Sequence, residues 1–205
     1  SAASDVYKRQ PYTTADVVVK DDIRGKMYID RTANGKWDPK TKYFEVEATR
    51  YATFKRASTD DPWELYAISP VVYRCKGHHV QTVTITKVTI QGENGYNAAF
   101  VDFTAPIPLN QLPTFASGEK VTVSCEGRNT STEQWEPISF GFVHHDKIRE
   151  NMDDLGDEKY RKEYRIQYNN GVHHSGISLI DAGTLQNEDE DDYNADGWSI
   201  PYRIQ

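Results

Sequence analysis

Between Val80 and Ile90 apolar and polar residues alternate, and this period of two constrains the fold more than any other feature of the chain. Successive side chains of a strand point to opposite faces, so Val83 and Ile85 share one face while Thr82 and Thr84 occupy the other. Val88 and Ile90 then resume the apolar pattern one residue out of phase. A slip of one would turn every later side chain to the wrong face. The pattern therefore predicts a β-bulge near Thr86-Lys87, where one extra residue restores the phase.

The rest of the chain reads the same way, as short extended runs between turn signals. Gly25–Asp30 and Tyr43–Phe54 flank a loop containing Asn34-Gly35, and Val71–Cys75 leads into the central run. Gln91–Asn97, with Asn94-Gly95 inside it, predicts a turn that folds the central run back on Ala98–Thr104 as a hairpin. Prolines 106, 108 and 113 predict an extended connector. Lys120–Cys125, Ile138–His144, Lys162–Tyr168, Gly176–Ile180 and Trp198–Ile204 complete the expected strands, with Ile138, Phe140 and Phe142 on one face. Two short helical turns are expected, at Asp61-Pro62-Trp63-Glu64 and at Lys147–Met152. Composition agrees: Val, Ile, Thr and Tyr supply 58 residues, whereas Leu and Met together supply 8. The expected fold is an all-β, antiparallel β-sandwich, immunoglobulin-like or jelly-roll-like, with few helical turns. Residues 11–205 would form one large domain or two small ones.

Ser1–Gln10 resembles the translated adapter that transposase-based sequencing libraries attach to DNA fragments, which marks a gene assembled from environmental reads. These ten residues are expected to be foreign to the fold. No apolar run reaches the ~18 residues of a membrane helix.

Charge is uneven. Residues 1–145 carry 17 basic and 17 acidic side chains, and residues 146–205 carry 7 and 14, so the last sixty hold the whole excess behind the net charge of −7. An acidic end repels nucleic-acid backbones, and no nucleic-acid partner is expected. Residues 80–145 are faintly similar to oligonucleotide-binding barrels in strand order, but they hold 3 basic and 6 acidic residues, the wrong sign for a backbone-tracking groove.

Asp192-Tyr193-Asn194-Ala195-Asp196-Gly197 resembles the start of EF-hand and dockerin-type calcium loops, in which alternate oxygens converge on a hard cation. The resemblance implies calcium held by Asp192, Asn194, Asp196 and the Trp198 carbonyl, with Arg203 where a bidentate Glu is usual. Asp30 to Asp38 is similar to calcium loops of bacterial surface β-modules and implies Asp30, Thr32, Asn34 and Asp38 as ligands. Polar turns are the alternative for both. All six histidines occur in adjacent pairs at 78–79, 144–145 and 173–174, and strand geometry points the members of each pair apart.

Cys75 and Cys125, the only cysteines, share strand parity with apolar neighbours. Either they form a disulfide closing a loop of about 50 residues, which implies an oxidising compartment, or they are two buried thiols. Val121–Cys125 with Trp135 ten residues on resembles the B-to-C region of immunoglobulin domains, although no cysteine follows downstream. Catalytic signatures such as G-x-S-x-G, H-E-x-x-H and C-x-x-C do not occur, so no enzyme is expected. The expected role is structural or adhesive, extracellular or at a cell surface, with a protein partner or self-assembly and with calcium as the candidate cofactor. The alternative is a carbohydrate-binding module that stacks sugars on loop tryptophans, Trp37 and Trp198 foremost.

Overall fold

The computed structural model describes residues 13–30, 39–76, 81–131, 139–145, 148–166, 169–186 and 188–205. Its strands are β1 (Thr14–Asp30), β2 (Pro39–Lys55), β3 (Glu64–Ile68), β4 (Val71–Cys75), β5 (Val83–Gly92), β6 (Asn97–Phe100) and β7 (Ile107–Pro108). They continue as β8 (Thr114–Phe115), β9 (Lys120–Asn129), β10 (Ser139–His145), β11 (Ile148–Asn151) and β12 (Asp153–Asp154). The last are β13 (Lys159–Arg165), β14 (Gly171–Asp181) and β15 (Ala195–Ile204). One short helix, α1 (Ala182–Gln186), lies between β14 and β15.

Two sheets form. The larger runs β11-β10-β14-β15-β4-β2-β3-β7, with β1 added to β2 and β8 added to β15. The smaller runs β12-β13-β9-β5-β6. Every pairing is antiparallel except β8 on β15. The chain is an all-β sandwich, as its patterning implies.

The core lies between the sheets. Val83, Ile85, Val88 and Ile90 of β5 pack with Val121 and Val123 of β9 against Ile177 and Leu179 of β14 and Trp198, Ile200 and Tyr202 of β15. All four β5 residues are buried because the β5–β9 register shifts between Ile85 and Lys87. The bulge lies where the phase change places it. The expected hairpin also forms, with β5 paired to β6 and Gly95 at φ 85° in the turn.

Three expectations are corrected. Asp61–Glu64 makes no helical turn: Glu64 opens β3, and Trp63 stays exposed with the Arg56 guanidinium 4.5 Å from its ring. Ile148–Met152 makes no helical turn either, because Ile148–Asn151 is β11, paired to β10, and Lys147 lies outside the described residues. Phe140 and Phe142 share a face of β10, as expected, and it is the one turned away from the core, which takes Gly141 and Val143. Gly141 is required there because a Cβ would sit 2.8 Å from the Tyr160 ring. Finally, β1 is longer than expected. Its N-terminal half, Thr14–Arg24, is strand despite the run Val17-Val18-Val19 that hides the alternation.

Pro70 interrupts the strand that β3 and β4 would otherwise form along β2. Its missing N–H breaks the ladder. Ser69 repairs the gap: its N–H donates to the Tyr51 carbonyl at 2.8 Å, and its Oγ accepts the Tyr51 N–H at 2.9 Å.

Candidate functional site

The larger sheet has a second face, turned away from the core, and the 17-residue strands β1 and β2 curl it into a groove. Alternation decides what lines it. On β14 the core takes Ser175, Ile177 and Leu179, leaving Gly176 and Ser178 to the groove. On β15 it takes Asp196, Trp198 and Ile200, leaving Ala195, Gly197 and Ser199. These small residues form the floor. Phe44, Tyr73 and Tyr193 supply aromatic walls, and Ile23 and Met27 close one side. The curl brings β1 to the opposite edge of the sheet, where Arg149 of β11 points an Nη1 at the Met27 sulfur from 3.9 Å. The enclosed volume is about 670 Å³, within the range of small-molecule sites. Burial pushes the Tyr193 hydroxyl up to about 12.

The groove is cationic in an acidic protein. On the other face Lys20 pairs with Glu47, Arg24 with Glu45 and Lys76 with Asp22, while Lys26 lies over the Tyr43 ring and Arg74 over the Phe103 ring. At the groove, Arg149 holds its guanidinium 3.8 Å from the Phe142 ring centre. Arg50, on the same face of β2 as Val46, has no ion-pair partner among the described residues. Packing around Arg149 lowers its pKa. His174 also lines the groove, and its buried Nε2 has no hydrogen-bond partner among the described residues. Burial, then the charge of Arg50, lowers the His174 pKa. Asp21 is the one carboxylate of β1 on this face, beyond the lining. The acidic run 188–192 is tied to β2 instead, through Lys40 to Glu188 and Lys42 to the Asp189 carbonyl.

The residues expected to bind calcium do something else with their oxygens. Ala195–Ile204 is a regular strand, so the expected loop from Asp192 to Trp198 is corrected to a strand entry. Asp196 Oδ2 accepts the Ile85 N–H at 2.8 Å, and Oδ1 accepts the Gly197 N–H at 3.0 Å. Asn194 Oδ1 accepts from the N–H groups of Thr82 and Val83, and its amide donates to Thr82 Oγ1 at 2.7 Å. Burial raises Asp196 to about 6 against these bonds. Asp192 is buried beside them. No group of three or more His, Cys, Asp or Glu with metal-holding geometry occurs among the described residues. Asp30 ends β1, while Thr32, Asn34, Trp37 and Asp38 lie outside the described residues, as do Trp135 and His78-His79.

Trp198 is no loop residue. It is 3% exposed in the core, with Phe103 edge-on at 5.6 Å, so its assignment to sugar stacking is corrected. Of the two alternatives for the cysteines, the thiols hold: Cys75 and Cys125 are free. Cys75 Sγ accepts the Ala195 N–H at 3.2 Å and is pushed up to about 11 by burial. Cys125 is packed in the core, and burial raises it further.

Sequence reasoning missed Arg149, Arg50 and His174 as a set. They come from three strands, and only the sheet order brings them to one face.

This arrangement defines the chain as a two-sheet β-sandwich with a cationic, aromatic groove on its larger sheet. Comparison with protein-family models, with curated proteins and with solved structures finds no match. No helix among the described residues is long and apolar enough to cross a membrane.

Proposed function

We propose that the chain is a non-catalytic structural or adhesive module of the cell exterior that assembles through strand β1 with a second copy of itself. The observation that carries this reading is the edge. β1 pairs along all 17 residues with β2 and with no other strand among the described residues. Its outer row of N–H and C=O groups is a template for a further strand. Val17, Val18, Val19 and Ile23 are each more than a third exposed along it.

The sequence of β1 suits its own antiparallel copy. With Asp21 opposite Asp21, Asp16 faces Lys26, Lys20 faces Asp22 and Val19 faces Ile23. Opposite charges and β-branched pairs across strands stabilise a ladder. Only the Asp21 pair on the axis opposes it.

Light scattering after size exclusion tests the reading. The chain elutes as a dimer or larger assembly, Asp16→Lys shifts it to monomer, and Asp16→Lys with Lys26→Asp restores assembly. A monomer at all concentrations up to millimolar overturns the proposal.

A further inference from the structure

We infer that the groove on the larger sheet binds a carboxylate-bearing carbohydrate, an acidic oligosaccharide whose carboxylate is held by Arg149 with Arg50 nearby. This inference is independent of assembly through β1.

Three observations converge. The first is charge without counter-charge. Arg149 lines the concavity and Arg50 lies on the same face beyond the lining, neither with a carboxylate partner among the described residues. Guanidinium groups match carboxylates with two parallel hydrogen bonds, and the pairing gains strength where rings exclude water. The Phe142 ring covers a face of the Arg149 guanidinium, a contact that uses none of its in-plane N–H groups.

The second is the lining. Phe44, Tyr73 and Tyr193 offer flat apolar faces of the kind that pack on the C–H face of a sugar ring. Between them Ser178 and Ser199 offer hydroxyls, and the His174 Nε2 is an unused hydrogen-bonding atom. A purely apolar ligand would leave those polar atoms unpaired at a cost.

The third is the floor. Side chains larger than those of Gly176, Ser178, Ala195, Gly197 and Ser199 would fill the concavity. A Cβ on Gly176 already meets the His144 Cβ at 3.2 Å. The resulting 670 Å³ accommodates more than one sugar ring.

Isothermal titration of the full chain with digalacturonate, with its neutral disaccharide counterpart and with benzoate tests the inference. Digalacturonate binds, the neutral sugar binds at least about tenfold more weakly, and added salt weakens the acid sugar only. Arg149→Ala and Arg50→Ala each weaken digalacturonate by about tenfold at unchanged melting temperature, whereas Arg128→Ala, exposed on β9, leaves it unchanged. Ser178→Phe, which fills the floor, abolishes binding. No heat with digalacturonate, or equal weakening by Arg128→Ala, overturns the site. Benzoate binding as tightly as the disaccharide overturns the carbohydrate.

Discussion

The Asp196 carboxylate on β15 accepts the backbone N–H of Ile85 on β5 at 2.8 Å, so a side chain of one sheet stands in for a missing strand of the other. β6 pairs with β5 only from Val88 onward, which leaves the start of β5 without a neighbour on that side. Asn194, just before β15, and Asp196, two residues on, meet the N–H groups of Val83 and Ile85, two apart on β5. The alternating oxygens that look like a cation loop are a clamp matched to strand periodicity. Removing one leaves buried donors orphaned. Asn194→Ala is expected to cost about 2–3 kcal/mol, read as a lower urea midpoint at unchanged slope. A loss below the error of the measurement would show that the clamp holds nothing.

The same carboxylate sets a pH dependence. Asp196 titrates near 6 when folded, against 3.8 as the ordinary value, because burial penalises its charge. Between those values the folded chain holds a proton that the unfolded chain has released. The contribution therefore favours the folded state at pH 4 and is lost as pH rises through 6, by on the order of 2–3 kcal/mol. Exposed carboxylates such as Asp22 and Glu47, lowered by hydrogen bonds from Lys76 and Lys20, act in the opposite sense and are common to both proteins compared. Urea unfolding of the parent and of Asp196→Asn from pH 4 to 7.5 isolates the site. The parent's advantage over the variant shrinks as pH rises, and parallel curves would refute the assignment.

Calcium has little to bind in this clamp. The oxygens of Asn194 and Asp196 are already acceptors for protein N–H groups, and a cation would have to displace them. Differential scanning calorimetry in 5 mM calcium (about that concentration) and in excess chelator is expected to give the same melting temperature. A ligand that binds only the folded state at 100 times its dissociation constant adds about 2.7 kcal/mol. An upward shift of several degrees would restore the calcium loop.

What the sequence made legible was whatever lies on one strand and one face. The phase change at Thr86-Lys87 is local, and the bulge is where it says. The outer half of β1 was hidden because Val17–Val19 is exposed on both faces, so no burial pattern disciplines it. Alternation put Phe140 and Phe142 on one face but could not say which face is inward: the Tyr160 ring from the other sheet leaves room there only for Gly141. Asp196 was read as a ligand because the residue that uses it, Ile85, is 111 positions away. The groove was illegible for the same reason: its cations become a group only through strand order.

Both thiols are free, and their environments differ. Cys75 is half-buried and Cys125 is sealed in the core, each with its pKa raised by burial. Thiolate is the reactive form. A thiol reagent such as DTNB at pH 8 is expected to label Cys75 slowly and Cys125 only on unfolding, reaching two labels in denaturant. Reductant leaves the melting temperature unchanged. Two equivalents of label withheld in denaturant until reductant is added would demonstrate a bridge.

Gly141 tests how tightly the sheets are keyed together. It lies on β10 facing the core, and an added Cβ would lie 2.8–3.0 Å from three atoms of Tyr160, closer than packed carbons tolerate. Tyr160 cannot swing aside freely, since it is 3% exposed within the core on β13. Gly141→Ala must therefore push β10 away from β13 or force the ring off its rotamer, at about 1–3 kcal/mol. Gly95, at φ 85° with open space around its Cβ position, is the contrast: Gly95→Ala is destabilising through backbone strain alone, by about 1 kcal/mol. Tyr160→Leu removes the obstructing ring, so in that background Gly141→Ala should lose most of its cost while Gly95→Ala keeps its own. A double-mutant cycle by urea unfolding reads the difference as a coupling between 141 and 160 of at least ~1 kcal/mol. Additive costs would mean that the two sheets do not meet at this pair.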